Sequence, residues 1–144
     1  MEMNEKTASA RELLRAEAYT CVFHNGEDVI SDRRRGVAPL LALLESGRDV
    51  SGYCVADKVV GRAAAFLYVL LGVEELFAEV LSEPAAEVLS QHRVSFYAKT
   101  RVPFIQNRSG DGFCPMETAT REVSDPAEAL VRIKETLARL RAAN

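Results

Sequence analysis

The chain has 144 residues, with 18 lysines and arginines against 21 aspartates and glutamates and a formal net charge of −3. That length suits one domain, residues 1–144, able to bury its own core without disulfides or a structural metal. The near-even charge balance gives no general attraction to nucleic acid or to an anionic membrane, so any anion site must be local.

Cys21, Cys54 and Cys114 form an odd set without C-x-x-C spacing. This argues against a zinc ribbon or a disulfide framework and suits a reducing, cytoplasmic setting. The opening MEMNEKTASA has no apolar signal core, so no secretion signal is expected. Ala63 to Val73, the longest apolar stretch, is broken by Gly72 and is far shorter than the roughly 20 residues of a membrane span.

Ser9 followed by Glu12 resembles a capping box, and the spacing predicts a helix from there to about Ala18. Tyr19 to Phe23 is β-rich, Asn25-Gly26 is a two-residue hairpin signal, and Asp28 to Ser31 supplies the return strand. Val37, Leu40, Leu41 and Leu44 lie at helical spacing, with Pro39 tolerable only in the first turn, so a second helix starts near Val37 and ends at Gly47. Gly52 to Ala56 is a third strand, and it feeds a third helix, Val59 to Leu71, through Asp57-Lys58. That helix is apolar almost all round and must be wrapped on most sides.

Leu76 to Leu81 reads as a strand, Ser82 and Pro84 open a helix to about His92, and Val94 to Ala98 is a further strand. Lys99 to Ile105 is extended, with Pro103 at a sheet edge or outside the sheet, and Asn107 to Gly112 has the composition of a loop. Pro115 is expected to begin a short helix. Asp125 as cap, Pro126 at the first position and Glu128 three residues after the cap mark the last helix, with Leu130, Ile133, Leu137 and Leu140 on one face. Strands alternating with helices predict an α/β fold of three layers, a mixed central sheet of about five strands covered on both faces.

The element order, the ADKVVGRAAA segment after the third strand and FCPME around residue 114 resemble a bacterial family of uncharacterised proteins similar in fold to the cytidine deaminases. The family motifs matched are D-K-x-x-G-[KR]-A-A-A and C-P-M-E. The resemblance covers nearly the whole chain and implies a cytidine-deaminase-like domain. Proteins of that fold commonly pair through helices, with which a homodimer is compatible. Zinc deaminases carry H-x-E at the start of the second helix and P-C-x-x-C at the start of the third. Here those helices begin RGVAPL and ADKVVGR, and His24 and His92 form no H-x-E or H-E-x-x-H cluster. Zinc-dependent deamination is therefore not expected, and neither a metal nor another cofactor is assigned.

Open α/β sheets place ligands at the carboxyl ends of strands, where helix amides attract anions. The Asp57-Lys58 turn falls there. In one reading Lys58 and Arg62 hold a phosphate or carboxylate, Asp57 orients Lys58 or the helix amides, and Gly61 provides access. In the other, Asp57 is an N-cap and Gly61 a close-packing contact. A cap explains Asp57 but not a lysine in the first turn, where the helix dipole disfavours a cation.

Cys114 precedes a helix start and is a candidate nucleophile, with Lys58 or Glu117 for proton transfer; the alternative is a small buried residue closing the loop. Asn107 and Arg108 either reach over the same cleft or simply make the turn. Arg33 to Arg35 add a second anion contact or form a solvated loop. The functional expectation is binding of a small anionic or nucleotide-like ligand by Asp57, Lys58, Gly61, Arg62, Asn107 and Arg108. The alternatives are a metal-independent enzyme using Cys114 and an interaction protein without a pocket.

Overall fold

A computed structural model describes residues 2–107, 109–110 and 112–143. The chain runs α1 (Glu5–Ala16), β1 (Cys21–His24), β2 (Val29–Asp32), α2 (Ala38–Ser46), β3 (Cys54–Val60) and α3 (Arg62–Leu71). It continues with β4 (Glu75–Ser82), α4 (Glu83–Gln91), β5 (Ser95–Val102), α5 (Pro115–Thr120) and α6 (Pro126–Ala142). Among the described residues five strands form one sheet in the order β2-β1-β3-β4-β5. Strand β1 is antiparallel to both its neighbours, whereas β3, β4 and β5 are parallel. The sheet is therefore mixed, as the alternation of elements predicts, because each parallel step is bridged by a helix.

One face of the sheet is covered by α1, which sets Ala10 and Leu14 on Val22, Ala56 and Phe77. The opposite face carries the larger core, in which α2, α3, α4 and α6 meet Val55, Leu76 and Ala78. Helix α3 is the hub of that layer, with Ala65, Phe66, Leu67 and Tyr68 almost fully buried. Its all-round apolar sequence is explained by the helices packed about it.

Several boundaries differ from the sequence expectation, each for a local reason. Asn4, not Ser9, caps α1, its side chain accepting from the Lys6 amide, so the helix starts one turn earlier and ends at Ala16. The first hairpin has a four-residue loop, because Asn25 Oδ1 accepts from the amides of both Glu27 and Asp28 and Phe23 and His24 pair with Ile30 and Val29. Strand β5 runs to Val102 and stops at Pro103, which lacks the N–H a ladder requires.

The consequential difference lies at β3. The strand does not yield at Asp57 but continues to Val60, since Val59 and Val60 pair with Val80 and Leu81 of β4. Two β-branched residues favour extension there. Gly61, in extended backbone, is the N-cap position, and α3 begins at Arg62. Asp57 is thus not a helix cap, and Lys58 is not in a helical turn.

Elsewhere the predicted signals act as expected. Ser82 Oγ accepts from the Ala85 amide at the start of α4 (3.1 Å), and Asp125 Oδ2 accepts from the Glu128 amide at the start of α6 (3.0 Å). Gly47 and Gly72, both left-handed, end α2 and α3.

Candidate functional site

At the carboxyl end of β3 a cavity of about 450 Å³ opens between the starts of α2 and α3. Its floor is made by neighbouring strands, where Cys21 of β1 stands directly opposite Asp57 of β3 in the antiparallel ladder. Val37, Pro39 and Leu40 form one wall, Ala63 and Ala64 a second, and Ile105, Cys114 and Met116 a third. Apolar walls around a few polar groups are the usual composition of a small-molecule site.

Asp57 is only 9 % exposed. One carboxyl oxygen accepts from the Tyr68 hydroxyl (2.5 Å) and the other from the Val59 amide (3.1 Å). Burial pushes its pKa up to about 7, against the lowering effect of these hydrogen bonds. The same burial and the neighbouring Asp57 raise the Tyr68 phenol and the Cys21 thiol. Both therefore remain protonated at neutral pH. Among the described residues no cation lies within ion-pair distance of Asp57.

The start of α3 is already occupied. Glu117, at the first turn of α5 and 6 % exposed, accepts from the Arg62 amide through Oε1 (3.0 Å). A carboxylate at that end of α3 is where a free anion was expected, and it satisfies the same donor with the same favourable dipole. Gly61 makes the approach possible. A Cβ there would lie 2.6 Å from Glu117 Oε1 and 3.1 Å from Ile105 Cγ1. The glycine is required for close packing, the second of its two sequence readings.

Arg62 does not line the cavity. Its guanidinium is buried and donates to the carbonyls of Thr120 (2.7 Å), Val123 (2.6 Å) and Pro84 (3.4 Å), tying the α5–α6 connection to α3. The expectation that it holds an anion is corrected on that ground: its donors point into main-chain carbonyls. Asn107 also stays outside the cavity lining, its amide donating to the Gly112 carbonyl across a tight loop (2.9 Å). Arg108 lies outside the described residues.

The structure brings Asp57, Lys58, Gly61, Cys114 and Glu117 to one cavity. Residues 105–114 achieve this by folding back on themselves, with Gln106 bridging Phe113 and the Cys114 amide donating to the Ile105 carbonyl (2.9 Å). Lys58 and Arg35 are exposed at the rim, and among the described residues neither has an ion-pair partner. Of the arginine run, Arg34 pairs with Asp32, Arg33 stacks over Tyr19, and Arg35 alone borders the cavity.

Sequence reasoning missed Cys21 and Tyr68 as parts of the site. A tyrosine in an otherwise apolar helix was the available signal, since a buried hydroxyl needs a partner. Among the described residues no three His, Cys, Asp or Glu side chains converge closely enough to hold a metal ion.

Residues 9–137 match the family model TM1506, a domain of unknown function, DUF1893. The chain belongs to the DUF1893 family. A crystal structure of a DUF1893 family protein, TM1506 from Thermotoga maritima, superposes with a TM-score of 0.86 at 24 % identity, over 94 % of this chain and 92 % of that one. The likeness establishes the α/β fold of this DUF1893 domain. No curated protein matches the chain.

Two expected outcomes follow from the geometry. Gly61→Ala in this DUF1893 domain loses about 1–3 kcal/mol in a urea titration, as overpacking does, and the loss shrinks when Glu117→Ala is already present; full additivity of the two losses would contradict the contact. Asp57, with its raised pKa, gives stability that is complete below its unfolded value and falls as pH rises through about 7. Asp57→Asn should therefore flatten the decline in unfolding free energy, read by urea titration, between about pH 4 and pH 7, a difference on the order of a few kcal/mol.

Proposed function

We propose that the chain binds a small anionic or nucleotide-like molecule in the cavity beside the end of β3, without zinc, on a cytidine-deaminase-like fold. The observation that carries this reading is one cavity holding a buried carboxyl at its floor, apolar walls and, at its mouth, two cations without an ion-pair partner among the described residues. Apolar walls suit a ring or a short hydrocarbon body, and Lys58 with Arg35 suits a phosphate or carboxylate. Arg35 takes the place that the sequence suggested for Arg62. The anion is held at the rim by side chains, not at the helix amides, because Glu117 already satisfies the first of them.

Two features support the finer fold statement. The sheet order β2-β1-β3-β4-β5, with β1 antiparallel and the last three strands parallel, agrees with the element order that suggested it. Helices cover both faces, as that fold requires.

A second reading has one observation in its favour, the position of Cys114 on the cavity wall. In it the Cys114 sulfur adds to a carbonyl carbon of the ligand, the C=O π pair moves onto the oxygen, and that oxygen receives a proton from Lys58 or Glu117, which takes up the thiol proton in exchange. Glu117 is the weaker candidate, since its Oε1 is engaged by the Arg62 amide.

A thermal-shift screen with phosphorylated metabolites and nucleotides tests the first reading. Lys58→Ala should weaken the best-stabilising compound at least tenfold, about 1.4 kcal/mol. An unchanged shift in that variant would refute the anion site. Cys114→Ala should leave the shift intact on the first reading; on the second it abolishes a mass increment at that residue after incubation with the same compound.

A further inference from the structure

The cavity separates its charges by depth. Asp57 and Glu117, 9 % and 6 % exposed, lie inside, whereas Lys58 and Arg35 are exposed at the mouth. Glu117 has its partner in the Arg62 amide. Asp57 meets the Tyr68 hydroxyl and the backbone amides of Val59 and Lys58, none of which carries a charge to offset an ionised carboxyl. A buried carboxylate without a counter-ion is costly, and it gains more from a cation than from any neutral donor. Among the described residues, no neighbouring element supplies that cation within ion-pair distance. Cys21 on β1 and Tyr68 on α3 are neutral acids, Glu117 on α5 and Cys114 at its cap position bring a carboxyl and a sulfur but no basic nitrogen, and the cations Lys58 and Arg35 stand at the exposed rim.

We infer that the ligand of this cavity is doubly charged, with a protonated nitrogen such as an amine or amidine paired with Asp57 at the floor and an anionic group held by Lys58 and Arg35 at the mouth. The inference rests on the anion-binding reading above and narrows its substrate class to zwitterions with an apolar middle, among them nucleotides whose base carries a protonatable nitrogen. The walls fit that middle, since Val37, Leu40, Ala64, Ile105 and Met116 offer no charge between the two ends. An ionised Asp57 also retains its hydrogen bonds, because a carboxylate oxygen can accept a second donor. Binding the nitrogen therefore completes the carboxylate's partners without breaking the contact to Tyr68.

The two ends are tested separately with fragment probes. Benzamidine, which stays protonated across the range used, represents the cationic end, benzamide is its neutral isostere, and phenyl phosphate represents the anionic end. Titrated by chemical-shift perturbation, the wild-type protein should bind benzamidine at least tenfold more tightly than benzamide. The advantage should grow as pH rises from about 6 to about 8, because Asp57 must lose its proton to form the pair. Asp57→Asn should erase the advantage and leave phenyl phosphate binding unchanged, whereas Lys58→Ala should do the reverse. The Asp57 carboxyl carbon resonance provides a second readout without substitution: its titration midpoint should fall when benzamidine is present. Equal binding of benzamidine and benzamide, an advantage that survives Asp57→Asn, or an unmoved midpoint would overturn the inference. Failure of phenyl phosphate alone would instead remove the anion-binding reading and leave the Asp57 pair standing.

Discussion

The contact between Glu117 and the first residues of α3 fixes the geometry on which the rest of this site depends. One carboxylate oxygen meets the Arg62 amide at 3.0 Å, and only a glycine at position 61 lets it come so close. The contact has three consequences. It provides a partner for a helix amide that would otherwise be an orphan donor. It pins α5, and with it Cys114 and Met116, against the end of β3. It also engages the first amide of α3, the donor that the proposed anion would otherwise meet there.

Arg62 reinforces the same junction from the other side. Its amide holds Glu117 while its guanidinium holds three carbonyls, those of Pro84 in the first turn of α4, Thr120 at the end of α5 and Val123 before α6. A buried guanidinium that donates to carbonyls is a structural clamp, and the chain depends on it to close the helical layer around α3. The cavity lies beside this clamp. Its walls belong to four separate parts of the chain, so its shape depends on the helical layer being complete, and the buried Asp57–Tyr68 pair joins floor to hub.

Much of the architecture was legible in the sequence because it rests on local signals. Proline and a capping residue at the start of α4 and α6, left-handed glycines at the ends of α2 and α3, and the apolar surround of α3 all act within a turn or two of the chain. Of the cavity lining, only a part was legible. Asp57, Lys58, Gly61, Cys114 and Glu117 were picked as candidates from their positions near strand and helix ends, and they do share a cavity. Their roles were not legible, because each is decided by a partner far away in sequence. Pairing of Val59 and Val60 with β4 carries the strand past Asp57, which removes the helix-dipole argument about Lys58. The carbonyls that claim Arg62 lie 22 to 61 residues away, and the carboxylate that claims its amide lies 55 away. Arg35 was one of three adjacent arginines with nothing local to distinguish it, and Tyr68 was hidden by an apolar helix.

The central claim is that α3 begins on the protein's own carboxylate, so that its first amide, that of Arg62, is not open to an external anion. Titrating 15N-labelled protein with inorganic phosphate while following the Arg62 amide resonance tests this most directly. The account predicts that the resonance stays in place in the wild type and moves in Glu117→Ala, where the donor is released. An Arg62 resonance that shifts in the wild type as far as it does in the variant would contradict it.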